Sequence, residues 1–438
     1  MLRTRVGVDT VFVGLVAAVL LATPPLTQDA AEAACPVTAR QVALAGSGAT
    51  AAVGVEALWA SPANLAAPNR PAFSLMLVSA AGGVSNNSFT IDQYNRFMAP
   101  GTYLSGSDKE EILGSITGDE FVVRAEGAAN CLGLAIGPVG FAITPRAFGS
   151  IALSKDYFDL LLNGNALNRV YSFDGTSGES MVFFETSLSY ARRSSWIPLT
   201  NGRWGLGVKM FHGGAYFEVL DADGELVTSP TKASGEGLVK IRYSGSTEAP
   251  EGDGDYETSP GRGFGFDLGV AGEISTRWSL AVVLRDVGSR ITWDHGTEKS
   301  YHYRADSLTA ENAEDEDLVL EEEYEHAVGS LRIPVPTTLH LECTRETPRF
   351  LFSTAYDQGF RRFAGVSTIP RLAVGTELRA PAWLPVRASL SLGGGMGTCL
   401  AGGLGLHLGG LSLDLAGMKR GISGNKGGLV ALTTYLRF

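Results

Sequence analysis

Six histidines and four cysteines are the residues of this 438-residue chain with the widest chemical repertoire, so their spacing is weighed first. His212, His295, His302, His326, His340 and His407 are scattered. No Gly-x-Ser-x-Gly or His-Glu-x-x-His element accompanies them, so neither an activated nucleophile nor a zinc-held water can be assembled from local sequence. His340 and His407 fall on polar faces of alternating segments, where a hydrogen-bonded side chain is expected rather than a catalytic base. Cys35, Cys131, Cys343 and Cys399 are too far apart for a metal knuckle, and their spacing permits a disulfide without implying one. Cys343 alternates with Leu339 and Leu341 and reads as a small buried thiol. Glu251-Gly-Asp-Gly-Asp-Tyr-Glu257 offers hard oxygen ligands for Ca²⁺ but lacks the full spacing of a calcium loop, so it reads as a solvated acidic loop. The expectation is a protein that is not an enzyme and has no catalytic residue, metal or cofactor.

What remains is a set of charges whose position matters more than their reactivity. Lys209, Arg285, Arg379 and Arg387 alternate with apolar neighbours, as do Glu185, Asp267, Glu377 and Asp414. If these faces share a confined interior, the charges must find one another there, and structural pairing is the expected role.

The segments carrying them are strands. In Phe264 to Val270 the even positions are Phe264, Phe266, Leu268 and Val270, against Gly265, Asp267 and Gly269. The same two-residue period runs through Trp204 to Phe211, Trp278 to Arg285, Leu372 to Arg379, Val386 to Leu392, Leu404 to Gly409 and Leu411 to Ala416. A soluble sandwich shares this period, so orientation rests on the polar face. That face is mostly Gly, Ala and Ser, which suits a narrow, filled lumen better than a water-exposed sheet. The chain holds 55 glycines, 18% charged residues and a net charge of −11, a composition too apolar for disorder and too acidic to favour nucleic acid.

The ends agree with a barrel. Arg3 and Arg5 precede the apolar Val11 to Ala22, and small residues follow at Ala31, Ala33 and Ala34, so residues 1–33 read as a signal peptide. No later stretch is long and apolar enough to be a membrane helix; Leu132 to Ile143 is short and broken by glycine and proline. The chain closes on a two-faced strand, with Val430, Leu432, Thr434, Leu436 and Phe438 on one side, and a terminal Phe438 is the expected assembly signal. Glu248 to Glu257 and Asp306 to Glu325, with five and ten acids, are expected as extracellular loops near 245–260 and 305–326. Asp108 to Leu113 and Lys155 to Leu162 read as short helices in a region that departs from strand periodicity, and Ser61 can cap a helix begun by Pro62.

Gly46 to Ala66, with Trp59-Ala-Ser-Pro-Ala-Asn-Leu65, resembles the Trp-Asn-Pro-Ala-Gly/Asn-Leu element near the mature N-terminus of FadL-like outer-membrane proteins, a superfamily of hydrophobic-compound transporters and PorV/PorQ-type proteins. Gly263 to Gly269, Leu284 to Ser289, Val335 to Leu339 and Leu384 to Leu390 resemble recurring strand pieces of the same group. Ser61 stands where the common element has Asn. The resemblance implies an all-β fold, an antiparallel transmembrane β-barrel of about 14 strands (12 to 16), with a short, partly helical, plug-like segment at 34–70 and the barrel over 71–438. It implies a plug or gate at Trp59, Ser61, Pro62, Ala63 and Asn64.

Two functions follow as expectations. One is passive transport of hydrophobic or small solutes across the outer membrane. The other is a non-transporting barrel that anchors or docks a surface or secretion partner, a reading favoured by a small-residue lumen, since a ligand pocket gathers apolar side chains. Expected partners are outer-membrane lipid, the barrel assembly machinery, and either a hydrophobic ligand or that protein partner.

Overall fold

In the strand Ser177–Arg193, Val182, Phe184, Leu188 and Tyr190 are exposed while Met181, Phe183, Glu185, Ser187 and Ser189 are buried. Apolar side chains outside and polar ones inside invert the order of a soluble sheet, and lipid is the solvent that favours the inversion. The computed structural model describes residues 36–245, 260–309, 319–395, 397–421 and 426–438. Its strands are β1 (Phe73–Asn86), β2 (Glu120–Asn130), β3 (Leu132–Ile136), β4 (Val139–Ser154), β5 (Val170–Ser172), β6 (Ser177–Arg193), β7 (Thr200–Thr228), β8 (Ala233–Gly245), β9 (Gly261–Ser275) and β10 (Trp278–Trp293). They continue as β11 (Gly296–Leu308), β12 (Val319–Val328), β13 (Leu331–Pro334), β14 (Thr338–Glu346), β15 (Phe350–Gly359), β16 (Arg371–Leu378), β17 (Val386–Gly393), β18 (Cys399–Leu408), β19 (Leu411–Arg420) and β20 (Gly427–Arg437).

These segments build a closed antiparallel barrel of 14 wall strands. β2 with β3, β8 with β9, β10 with β11, and β12 with β13 and β14 each run in line as one wall strand. Thus β7 pairs with β9 over one half and β8 over the other. β5 pairs only with the far end of β7. Closure is made by β1 against β20, in a register that sets Ala81 opposite Ala431. It ends in a reciprocal backbone pair between Phe73 and Phe438, 3.1 and 2.9 Å. No edge remains in the closed part of the wall for another chain to pair with.

At the end holding Phe73 and Phe438 the wall strands are joined by turns of two to seven residues. The opposite end carries longer connections, including the helices Ile91–Phe97 and Gly106–Ser115 between β1 and β2 and Lys155–Asn163 before β6. Short turns mark the periplasmic end of such barrels and long connections the outer end. The helix starts are set by side chains: Thr90 with Gln93 and Ser105 with Asp108 form capping boxes, and Ser154 caps the third helix. The two expected helices therefore exist, but they stand between wall strands, because the wall already begins at Phe73.

β7, at 29 residues, extends for roughly 95 Å at about 3.3 Å per residue, far more than a tilted strand needs to cross a bilayer. Its far half, with β8, β11 and β12, stands beyond the apolar band as a charged sheet. This corrects the reading of Asp306 to Glu325 as a loop at its two ends, while residues 310–318 lie outside the described residues. Asp306 ends within β11 and Glu321, Glu322, Glu323 and Glu325 lie in β12, where Lys299 on the neighbouring strand sits 3.4 Å from Glu323 and 2.9 Å from Glu325. Cross-strand cations offset the repulsion that favours a loop in the isolated sequence. The stretch Glu248 to Glu257, with its expected Ca²⁺ ligands, lies outside the described residues, as do residues 1–35. Cys343 is half-buried rather than buried, on the outward face with the exposed Leu341, because the apolar face of this wall is the lipid face. Cys131 and Cys343 are free thiols.

Candidate functional site

A barrel of this girth encloses a lumen, and residues 36–70 fill its periplasmic half. Between Val37 and Ala67 every residue except Gln41, Gly46 and Ala51 is buried. The segment folds as the helices Ala39–Ala43 and Ala57–Ala60 with three 3₁₀ turns, the last at Pro62–Ala66. Pieces this short are not stable alone in water, so contacts with the wall hold them. Thr38 and Gln41 form a capping box, and Gln41 also donates to the Trp59 carbonyl at 2.9 Å.

The wall supplies specific latches. The indole N–H of Trp59 donates to Thr144 at 3.0 Å, the Ala49 and Thr50 amides donate to Glu342 at 2.7 and 2.8 Å, and Arg40 pairs with Glu377 at 3.0 Å. Asn64 is the hub of the last turn. Its amide nitrogen donates to the carbonyls of Ala49, Thr50 and Ala52 at 2.6, 3.1 and 3.0 Å. Ser61 precedes Pro62 at the start of that turn, yet its hydroxyl is buried with no hydrogen-bond partner and does not cap it. Pro62 and Ala63 press against Gly205: a Cβ there would lie 2.3 Å from the Ala63 nitrogen.

Paired charges flank the plug, one cluster around Lys209 and another at the short-turn end of β16 to β19. Lys209 sits 3.3 Å from Glu185, 3.0 Å from Asp267 and 2.8 Å from Asp286, and Arg146 reaches Glu185 at 3.2 Å. Arg387 bridges Glu377 at 2.8 Å and Asp414 at 2.5 Å, and Arg379 meets Glu377 at 2.5 Å. Arg285 makes no ion pair among the described residues and donates to the Ala60 carbonyl of the plug at 2.7 Å. His340 is buried between Asp357 at 2.7 Å and Glu342 at 3.3 Å, and His407 lies 3.4 Å from Asp414. A buried charge demands such pairing because water is not there to screen it.

Farther out, the lumen turns apolar. Phe148, Phe183, Val335, Pro336, Ala364 and Val366 line a cavity, backed by Phe211, Tyr216, Ile291, Trp293 and Phe363. The rings meet edge-on, Phe148 with Phe363 at 5.6 Å and Phe183 with Phe211 at 5.9 Å between centroids. This chamber and a polar cavity over the plug share Arg146, Glu185 and Asp286. Sequence reasoning missed it, and missed Arg40, Glu56, Arg146, Asp286, Glu342, Asp357 and Arg371 as well. The run Met181-Val-Phe-Phe184, apolar at every position, was the available signal, since a lipid-facing strand needs apolar residues only at alternate positions.

The barrel and its internal plug have the fold of FadL-type outer-membrane β-barrels. The chain belongs to the family described as "Family of unknown function (DUF5723)", whose model matches residues 62–416. Among solved structures it is similar to the P. putida toluene transporter TodX, with TM-score 0.54 at 10% identity, covering 92% of this chain and 99% of that one. A Pseudomonas aeruginosa FadL homologue gives 0.53 at 15% identity over 93% and 100%. The Ralstonia pickettii toluene transporter TbuX gives 0.50 at 13% over 92% and 98%. At these identities the likeness is one of fold. No curated protein matches the sequence.

Proposed function

We propose that this protein is a passive outer-membrane transporter for hydrophobic or small solutes, gated by its N-terminal plug and exported with residues 1–33 removed. The observation that carries the reading is the apolar chamber inside the barrel, beyond a plug held by hydrogen bonds and ion pairs together with apolar packing against the wall. An internal apolar cavity is what a solute route requires and what a purely structural barrel lacks a reason to keep. The fold shared with proteins described as toluene transporters supports the same reading. A second reading, a docking platform, draws support from the charged sheet of β8, β11 and β12 beyond the membrane band.

The test locks the plug. The hydroxyls of Ser47 and Ser353 lie 2.7 Å apart, close enough for a disulfide after Ser47→Cys and Ser353→Cys in a chain whose four native cysteines are replaced by serine. Uptake of a hydrophobic dye by proteoliposomes should stop on oxidation and return on reduction. Equal uptake in both states removes the plug from the route. No uptake in either state, nor after deletion of residues 53–66, removes transport and turns the search to a docking partner.

A further inference from the structure

The geometry points to a site for the phosphate of an outer-leaflet glycolipid on the lipid face of β9, β10 and β13, formed by Arg262, Arg290 and Arg332. The inference is independent of the transport reading and needs only the barrel in its membrane. Strand register brings the three together. Thr292 of β10 pairs with Arg262 of β9 on one side and with Arg332 of β13 on the other, and Arg290 lies two positions nearer the apolar band than Thr292. Directly paired residues share a face, as do positions i and i+2, so the three side chains leave the wall on one side. That side faces lipid: the arginines are exposed, whereas Ile291, Trp293, Leu331 and Ile333, which alternate with them, are buried in the lumen. With strands about 4.8 Å apart and a rise of about 3.4 Å per residue, their Cα atoms stand roughly 8 to 10 Å from one another, a spacing across which three guanidinium groups can converge on one anion. His212 of β7, exposed opposite Arg262, extends the row.

The height of the row is that of a lipid headgroup. Below Arg262 the outward positions of β9 are apolar, from Phe264 through Phe266 and Leu268 to Ile274, all exposed. That run, at about 3.4 Å per residue and a tilt of about 40°, measures roughly 25 Å along the membrane normal, the full height of the apolar band of such a barrel. Arg262 is therefore the first outward residue above the band. Arg290 is level with Phe264, and its long stem lets the guanidinium rise to the same boundary. A third observation concerns charge. Among the described residues the side chains of Arg262, Arg290 and Arg332 have no ion pair or hydrogen bond, and Asp294, just past the end of β10, pairs with none of them. Like charges on neighbouring strands repel, and an anion set among them offsets that repulsion. Guanidinium forks match phosphate oxygens, and three of them favour a monoester, which carries close to two charges, over the single charge of a phosphodiester. The acyl chains of the same lipid lie against Phe264, Phe266 and the exposed Met210.

The experiment places the full barrel in phosphatidylcholine nanodiscs doped with bisphosphorylated lipid A, with fully dephosphorylated lipid A or with phosphatidylglycerol, and measures by native mass spectrometry the doped lipid that stays bound when the disc is removed. The bisphosphorylated form should be retained at least tenfold over the dephosphorylated one. Replacing Arg262, Arg290 and Arg332 together by Gln should bring that ratio close to one, and Arg290→Gln alone should shrink it severalfold. The three single variants give the same readout should the triple variant fold poorly. Arg192→Gln, at an exposed arginine near the short-turn end of β6, should leave the ratio unchanged. Equal retention of the two lipid A forms by the parent, or a ratio undiminished in the arginine variants, overturns the site. Phosphatidylglycerol held as strongly as bisphosphorylated lipid A overturns the glycolipid assignment. The competing anion is the chain's own acidic stretch, Glu248 to Glu257, which precedes β9 in sequence. A lipid A preference that emerges only when residues 248–257 are deleted would assign the arginines to that stretch and overturn the proposal.

Discussion

Arg203 and Asn64, 139 residues apart, are joined by two hydrogen bonds of 2.9 and 2.8 Å from the guanidinium to the amide oxygen. That fork fixes the amide so that its nitrogen meets the three carbonyls of Ala49, Thr50 and Ala52, and the wall thereby ties two turns of the plug together. Asn64→Ala strands a buried guanidinium and three carbonyls at once. A single unmet buried group costs about 1 to 3 kcal/mol, so a shift of at least about 2 kcal/mol, roughly thirtyfold, toward the unseated plug is expected. Dye uptake and single-channel open probability should both rise; unchanged values in a folded barrel would show that the latch does not limit opening.

Gly205 offers a cleaner test, because nothing about its chemistry changes except bulk. A Cβ at this position meets plug backbone at 2.3 Å, and backbone cannot swing aside as a flexible side chain can. Gly205→Val should therefore leave the wall strands intact by circular dichroism and expel Pro62 and Ala63 from their seat. The expected result is a higher conductance and new protease sensitivity before Arg70. At Gly417 a Cβ has nothing within 4 Å, so Gly417→Ala is the control. A valine variant that conducts like the control would mean the plug re-seats elsewhere without opening a path.

Lys209 is the single cation shared by Glu185, Asp267 and Asp286, and its side chain is 4% exposed. Lys209→Met leaves those carboxylates facing one another, with Arg146 on Glu185 as the ion pair that remains. Breaking a buried pair from one side costs about 3 to 5 kcal/mol, and a large drop in the thermal midpoint of the folded barrel is expected. Adding Asp267→Asn and Asp286→Asn to the same chain should restore most of it, since the repulsion is then gone. A triple variant no more stable than Lys209→Met would assign the loss to packing of the lysine stem rather than to charge.

The fold was legible because lipid imposes a simple rule. Phe264, Phe266 and Leu268 are exposed on one face while Asp267 is buried on the other, and alternation with a Gly, Ala and Ser face reports that arrangement directly. The chamber was not legible. Phe183 sits between Val182 and Phe184, so its inward direction is hidden in a continuous apolar run, and Phe363 arrives from a connection with no strand pattern at all. Partnerships were lost for a different reason. Arg285 has the same alternation as Lys209, yet it bonds to the Ala60 carbonyl, a backbone atom 225 positions away that no side-chain pattern encodes. β12 was misread because its acids look solvated until Lys299 is placed beside them.

Phe438 permits a separation of two roles that sequence reasoning merged. Its backbone closes the barrel through the reciprocal pair with Phe73, whereas the residue is 69% exposed and its ring only approaches the Phe73 ring, at 6.2 Å between centroids. Phe438→Ala keeps the backbone pair and removes the ring. If the ring is the signal read by the assembly machinery, the variant should refold in detergent with the yield and thermal midpoint of the parent while its level in the outer membrane of cells falls several-fold. Deletion of Phe438 removes both features, so it should lower the refolded yield too. Loss of refolding in Phe438→Ala itself would place the ring in barrel closure, and equal levels of Phe438→Ala and parent in cells would dismiss it as an assembly signal.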